Sequence, residues 1–311
     1  MALPRRALGS TGLTVPILGF GAATLGGAYG PVDEADAPRA VRAAIDLGID
    51  FFDTSPFYGK TRSESILGKC LSGIARDRYV LATKVGRYGN REFDFTAARI
   101  TASVDESLSR LDCGHIDMIQ CHDIEFWPLQ RIIDETLPAL IKLRDAGKVR
   151  AIGITGYPLK IFRTVLAQAT VDTVLSYCRY SLADNALAAE LPWLHAQGVG
   201  VISASPLSMG LLTGNGPPSW HPADAELRAL SRRAWEHCRD RGTDLADLAL
   251  RFALANPDVA STFVGISSEA ELRANVASAE QPLDHVLLTE VQAILAPVQG
   301  RAWSSGMLEN N

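Results

Sequence analysis

Short apolar, β-rich runs alternate with helical patterns along most of the 311-residue chain. The strand-like runs fall at 17–21, 51–54, 79–85, 116–121, 150–154, 173–177, 200–204 and 262–265. They are near-continuous apolar stretches, the kind that a parallel sheet buries on both faces. Between them, patterns with a period near that of the α-helix predict helices over 35–47, 63–71, 96–111, 132–145, 159–169, 186–197, 245–255 and 269–279. Val104, Leu108 and Leu111 share one stripe of the third helix. Thr96 reads as an N-cap, and Gly147 and Gly198 as glycines that close helices. Strands alternating with helices imply a parallel sheet, and eight strands close a (β/α)8 TIM barrel.

Residues 6–17 predict a small N-terminal hairpin before the barrel. The seventh βα unit is longer than the others. After Ser205-Pro206, the run 214–224 and an amphipathic pattern near 227–241 predict a loop and an extra helix inserted at the mouth. A further helix over 289–295 and an irregular C-terminal tail follow. The tail after Pro297 is expected to cap the pocket or a neighbouring subunit. No linker or composition shift divides the chain, so 1–311 reads as one domain.

Apolar residues make up 47% and charged residues 21%, the balance of a globular protein. A net charge of −5 without a basic block argues against nucleic acid and anionic membranes as partners. The first residues carry no apolar signal core, and no run approaches a membrane span, so a cytoplasmic protein is expected. The oligomeric state, monomer or homodimer, is open. Five scattered cysteines without a C-x-x-C pair fit a reducing compartment and argue against a disulfide framework or a metal site. The five read as small buried or surface thiols, and Cys121, beside His122, is the one whose sensitivity to oxidation is left open.

Chemistry gathers where strands end. Asp53 ends the second strand of the barrel and Tyr58 follows it, in FFDTSPFYG. Lys84 lies near the end of the third strand and His122 at the end of the fourth. A lysine in an apolar strand is costly to desolvate unless paired, and Asp53 is its natural counter-ion. An ordinary tyrosine has a pKa of about 10. Lys84 nearby is expected to favour the phenolate, and His122 to donate to a substrate oxygen. That set suits proton transfer between a carbinol and a carbonyl. Gly19-Phe20-Gly21 imitates the start of a dinucleotide fingerprint, but position 24 is Thr and Asp33, Glu34 and Asp36 follow no second strand.

These residues resemble the aldo-keto reductase family over nearly the whole chain. LGSTGLTVPILGFGA, FFDTSPFYG, SESILGKCL, ATKVGRY, SLSRLDCGHIDMIQCHDIE, ALIKLRDAGKVRAIGIT and SASPLSMGLLTG match it in order. The resemblance implies a catalytic tetrad of Asp53, Tyr58, Lys84 and His122 and a nicotinamide cofactor across the mouth. Within the family, CHDIEF, IGITGYPLKIF, LSYCRYSLAD, GPPSWHP and WSSGM are similar to the aldose 1-dehydrogenases that act on L-galactose and L-fucose. That implies oxidation of a free sugar to its lactone with NAD. The alternatives are a reductase of aldehydes or ketones and a non-catalytic redox-sensing subunit.

The family's cofactor positions carry over as Ala22, Ala23 and Asp53, then Thr155 of Thr155-Gly156 in place of the usual Ser-Asn or Ser-Arg pair, and Ser176 or Tyr177 in place of a glutamine. Ser205, Pro206, Leu207 and Gly210 match the pyrophosphate loop, and Gly265, Ser267, Glu271 and Asn275 the adenosine site. A carboxylate at Glu271 would repel a 2′-phosphate, which implies NAD rather than NADP, against the nearby charge of Arg273. Phe57, Asp123, Glu125, Trp127 and Trp303 are expected to line the sugar pocket.

Overall fold

The computed structural model describes residues 3–27, 30 and 34–311; Asp33 lies outside them. A hairpin of β1 (Arg5–Ala7) and β2 (Thr14–Pro16) precedes a closed barrel of eight parallel strands. These are β3 (Leu18–Gly21), β4 (Phe51–Asp53), β5 (Val80–Val85), β6 (Ile116–Cys121), β7 (Val149–Gly156), β8 (Thr173–Tyr177), β9 (Gly200–Ala204) and β10 (Ser261–Gly265). Each strand pairs with the next, and β10 closes on β3.

The outer layer contains α1 (Ala37–Asp46), α2 (Arg62–Leu71), α3 (Ala97–Leu111), α4 (Leu129–Arg131), α5 (Leu137–Asp145) and α6 (Lys160–Leu166). It continues with α7 (Leu191–Ala196), α8 (Ala225–Asp240), α9 (Leu245–Ala255), α10 (Glu269–Ala279) and α11 (His285–Leu295). The strands and helices follow the sequence pattern, with shifted ends. The fourth predicted helix starts earlier, at Leu129, and passes through a π-turn at Ile132–Thr136 before α5. Pro138 explains the turn: it donates no N–H, and its ring would crowd the Asp134 carbonyl of a regular helix. Gly147 and Gly198 take left-handed φ of 76° and 73°, as helix-closing glycines do. Thr96 has the extended backbone of an N-cap, but its hydroxyl donates to Asp94 instead, and Glu135 accepts from Ala97 N at 2.9 Å.

Alternation along the strands divides two cores. Phe51, Ala82, Met118, Ala151, Leu175, Ile202 and Phe263 fill the barrel, joined from the hairpin by Leu8 and Val15. The hairpin seals the N-terminal end of the strands: Gly9 lies so close that a Cβ there would be 2.3 Å from Gly200 N. Outward residues such as Ile119, Ile152 and Val174 pack under the helices. Cys121 is among them; its full burial makes it a core thiol and raises its pKa, which disfavours the thiolate that oxidants attack. The extra helix α8 also departs from expectation. It lies in the outer layer, where Leu227, Ala234 and Cys238 pack with Leu287 and Val291 of α11, and only the loop before it reaches the mouth.

Candidate active site

Asp53 ends β4, Lys84 is the penultimate residue of β5, and Gln120 is its register partner on β6. Ala82 and Met118, two residues earlier on the same strands, face the barrel interior, so Lys84 and Gln120 face it one layer higher. Lys84 is 1% exposed. Its Nζ donates to Asp53 Oδ1 and, at 2.9 Å, to the Thr54 carbonyl. The other Asp53 oxygen accepts from Gln120 Nε2 at 2.9 Å. Burial alone would lower the Lys84 pKa, but Asp53 and Tyr58 outweigh it and hold the group above its ordinary value. Burial raises Asp53, with Lys84 and Gln120 opposing. Gln120 is therefore a site residue absent from the sequence reading.

Tyr58 stands in the turn after β4, its ring centroid 4.8 Å from Lys84 Nζ. Here the sequence expectation needs correcting. Burial pushes the Tyr58 hydroxyl above its ordinary pKa; Lys84 pulls it down, but Asp53 and Asp123 reinforce the rise. Tyr58 rests as a phenol at neutral pH, and Lys84 limits the cost of ionising it.

His122 follows β6, with its ring 5.6 Å from that of Tyr58 and edge-on to it. Its Nδ1 lies 3.0 Å from Ser55 Oγ. That hydroxyl also accepts from Phe57 N at 3.1 Å; we assign its proton to the contact with Nδ1, which leaves the imidazole proton on Nε2. Burial first, then Lys84 and Arg87, hold the His122 pKa well below its ordinary value. The ring is thus a neutral donor.

A groove of about 670 Å³ runs from Asp53 and Tyr58 across the C-terminal strand ends to Ser267 and Glu271. Of the expected cofactor residues, Ala23, Asp53, Ser205, Pro206, Leu207, Gly210, Gly265, Ser267 and Glu271 line it. Thr24, Met209 and the loop positions Thr213 and Asn215–Pro218 also line it and escaped the sequence reading. Ala22 is buried, and its carbonyl accepts from Ser63 at 2.6 Å. Thr155 accepts from Asp123 N at 2.9 Å and donates to its carboxylate at 3.2 Å, which places it behind Asp123. Strand alternation separates the pair at the end of β8. Leu175 points inward, so Ser176 turns out towards the helices while Tyr177 points into the mouth, 5.5 Å from Tyr157. Asn275 is half-buried on α10, outside the groove lining.

Of the residues expected to line a sugar pocket, Phe57 packs 5.7 Å from the His122 ring and under the Arg87 guanidinium at 3.9 Å. Asp123 is 4% exposed, has a left-handed φ of 54°, and pairs with Arg87. Trp303 stacks on Tyr157 at 4.4 Å. Two expectations shift. Trp127 packs 5.8 Å from Phe95 in the outer core, away from the mouth, because the turn after β6 carries it outward. Glu125 is fully buried beneath the C-terminal tail.

The profile of the aldo/keto reductase family matches residues 17–296. The chain belongs to the aldo/keto reductase family. It is 51% identical to an L-galactose dehydrogenase of Arabidopsis thaliana over 98% of both chains. It is 35% identical to a D-arabinose 1-dehydrogenase of Saccharomyces cerevisiae over 80% of each. An aldo-keto reductase from Bacillus halodurans, solved in its holo form, superposes with a TM-score of 0.78 over 99% of both chains at 29% identity. As an aldo-keto reductase the chain is an oxidoreductase of aldehyde and alcohol groups, and its family implies a nicotinamide cofactor.

The groove fits such a dinucleotide. Gly21, Val264 and Gly265 line the groove, where β3 and β10 pack so closely that a Cβ on Gly21 would lie 2.8 Å from the Val264 carbonyl. Ser205, Ser208 and Met209 all have left-handed φ, so the loop after β9 turns tightly along the groove. Among the described residues, no group of three His, Cys, Asp or Glu side chains is placed to hold a metal ion, and no helix is long and apolar enough to cross a membrane.

Proposed function

We propose that this enzyme is an NAD-dependent aldose 1-dehydrogenase that oxidises the anomeric carbon of a free sugar such as L-galactose or L-fucose to the lactone. The observation that carries the reading is the convergence of Tyr58, backed by Lys84, and the neutral His122 donor at one end of a dinucleotide-sized groove. The 51% identity to an L-galactose dehydrogenase supports the substrate class.

When bound, the nicotinamide supplies a positive charge and the acceptor for the hydride leaving C1. Tyr58 first gives its own phenolic proton to solvent, and the phenolate so formed takes the anomeric hydroxyl proton. Lys84 remains protonated throughout, held by Asp53 and the Thr54 carbonyl, and offsets the negative charge on that oxygen. His122 Nε2 donates to the sugar oxygen and orients it. A cyclic hemiacetal that loses one proton and one hydride is already a lactone, so no water enters the step.

Glu271 supports NAD. Its carboxylate accepts from Ser267 N at 2.8 Å and Ser267 Oγ at 2.7 Å, so an acid occupies the adenosine end of the groove. Arg273, the cation that argued for NADP, is paired with Glu269 at 2.6 Å. A 2′-phosphate would meet a carboxylate, and the nearby Arg273 guanidinium is already paired. Initial rates on a panel of L- and D-aldoses with NAD⁺ and NADP⁺ test both parts. Lactone formed in step with NADH, and a higher kcat/KM for NAD⁺, are expected. Reduction of aldehydes without aldose oxidation, or a clear NADP⁺ advantage, would overturn the corresponding part.

A further inference from the structure

Beyond α11 the chain leaves the outer layer and crosses the mouth. Gly300 N donates to the Ala183 carbonyl at 3.0 Å, and Arg301 pairs with Asp224 and Glu226 at the start of α8, each at 2.9 Å. Trp303 N donates to the Tyr157 hydroxyl at 3.3 Å. The last residues then close on one side chain and its backbone. Ser305 Oγ donates to Glu125 Oε1 at 2.9 Å, Met307 N to the Glu125 carbonyl at 2.8 Å, and Asn310 Nδ2 to that same carbonyl at 2.9 Å. Gly306 lies so close that a Cβ there would be 2.3 Å from the Glu125 oxygen.

Glu125 is an unusual anchor. It is fully buried, Oε1 also accepts from Tyr157 N at 3.2 Å, and Oε2 has no partner. The titratable groups facing it are Asp123 from the same loop, Tyr157 after β7 and Tyr177 at the end of β8. Arg87 is engaged by Asp123, and Arg179 by Asp184 and Tyr157. Among the described residues no cation pairs with Glu125. A carboxylate there would be a buried charge with one oxygen unsatisfied, whereas a carboxylic acid is tolerated.

We propose that protonated Glu125 is the clasp that holds segment 301–311 across the sugar side of the mouth, and that loss of its proton loosens the segment. Burial, reinforced by Asp123, raises its pKa from 4.5 to about 8. Exposed in an open form, the group returns to its ordinary value, so the closed form binds the proton more tightly. Rising pH between those two values therefore shifts the balance towards the open form, by at most about tenfold per pH unit for one proton. Above about 8 both forms are ionised and the effect levels off. The two histidines near the segment are shifted the opposite way. His221, edge-on to Trp303 at 5.5 Å, is held below its ordinary pKa by burial, and His122 lies lower still.

Glu125 acts through Trp303 and Ser305, so it is a positioning residue for the sugar pocket; that consequence rests on the aldose reading. Hydrogen exchange of the 301–311 amides, corrected for intrinsic rates, reads the clasp without substrate or turnover. In the wild type, protection is expected to fall at least tenfold between pH 6 and pH 8 and then level. Glu125→Gln, which keeps donor and acceptor but cannot ionise, should hold its protection across that range. Asn310→Ala, which removes the tail amide that donates to the Glu125 and Trp127 carbonyls and leaves the carboxyl in place, should be less protected at every pH. The sugar KM should follow wild-type exchange, with cofactor affinity unchanged. Wild-type protection that ignores pH, a Glu125→Gln variant that tracks the wild type, or wild-type protection in Asn310→Ala would each overturn the clasp. If exchange behaves as expected but no aldose is oxidised, the clasp stands and the substrate reading falls.

Discussion

Tyr58 is set by opposing influences on one oxygen: burial, Asp53 and Asp123 favour the phenol, and Lys84 favours the phenolate. Lys84→Met deletes the group that works against burial. The ionisation that limits sugar oxidation at low pH then moves to higher pH, so the rising limb of log kcat/KM against pH shifts to the alkaline side. At pH 8 the fall in kcat/KM is expected to be about 10²–10⁴-fold, the usual worth of positioned proton transfer. An unshifted limb in the pH profile would show that Lys84 does not tune Tyr58. The four mouth residues were legible because each ends or follows a strand in the sequence pattern. Gln120 was not singled out, although its signal was present: an amide two residues after Met118 on the inward face of an apolar strand needs a buried partner, and Asp53 is that partner. Glu125 was misread because its tail contact comes from a residue 180 positions away. Local patterns carry no trace of such a contact.

At the scale of elements, Tyr58 is placed by backbone touching backbone. Its turn packs on the 3₁₀ turn Ala22–Gly26. A Cβ on Gly26 would lie 2.7 Å from the Tyr58 carbonyl carbon. On the other side of the contact, Gly59 has φ +62° and leaves room only for hydrogen. Gly26→Ala should push the turn, and Tyr58 with it, off the Lys84–His122 axis. A displacement near 1 Å is expected to cost about 10²-fold in kcat/KM. Gly114→Ala, with open space around it and no left-handed backbone, is the neutral control. Kinetics of the two variants that match each other would contradict the placement. Helix starts were the least legible part. The true starts of α8 and α11 follow Asp224 and Asp284, whose carboxylates accept from Leu227 N at 2.8 Å and Val286 N at 3.0 Å. Both caps stood in the sequence ahead of the apolar pattern that was used to place the helices.

At the scale of the molecule, the barrel separates the work of the site. β3 and β10, with the loop after β9, form the groove proposed for the dinucleotide, while β4, β5 and β6 deliver the residues proposed for proton transfer. The eight-strand closure was legible because parallel strands buried on both faces leave long apolar runs; the tail's path across the mouth was not, because no periodicity marks it. The division of labour makes the central claim testable in one variant. Tyr58→Phe removes a hydroxyl and leaves the groove otherwise intact. Steady-state aldose oxidation and NAD⁺ titration should be measured on the same preparation. The account predicts that turnover falls by about 10³-fold or more while cofactor affinity stays near that of the wild type. Turnover within tenfold of the wild type would contradict the role of Tyr58 as the group that takes the sugar's proton.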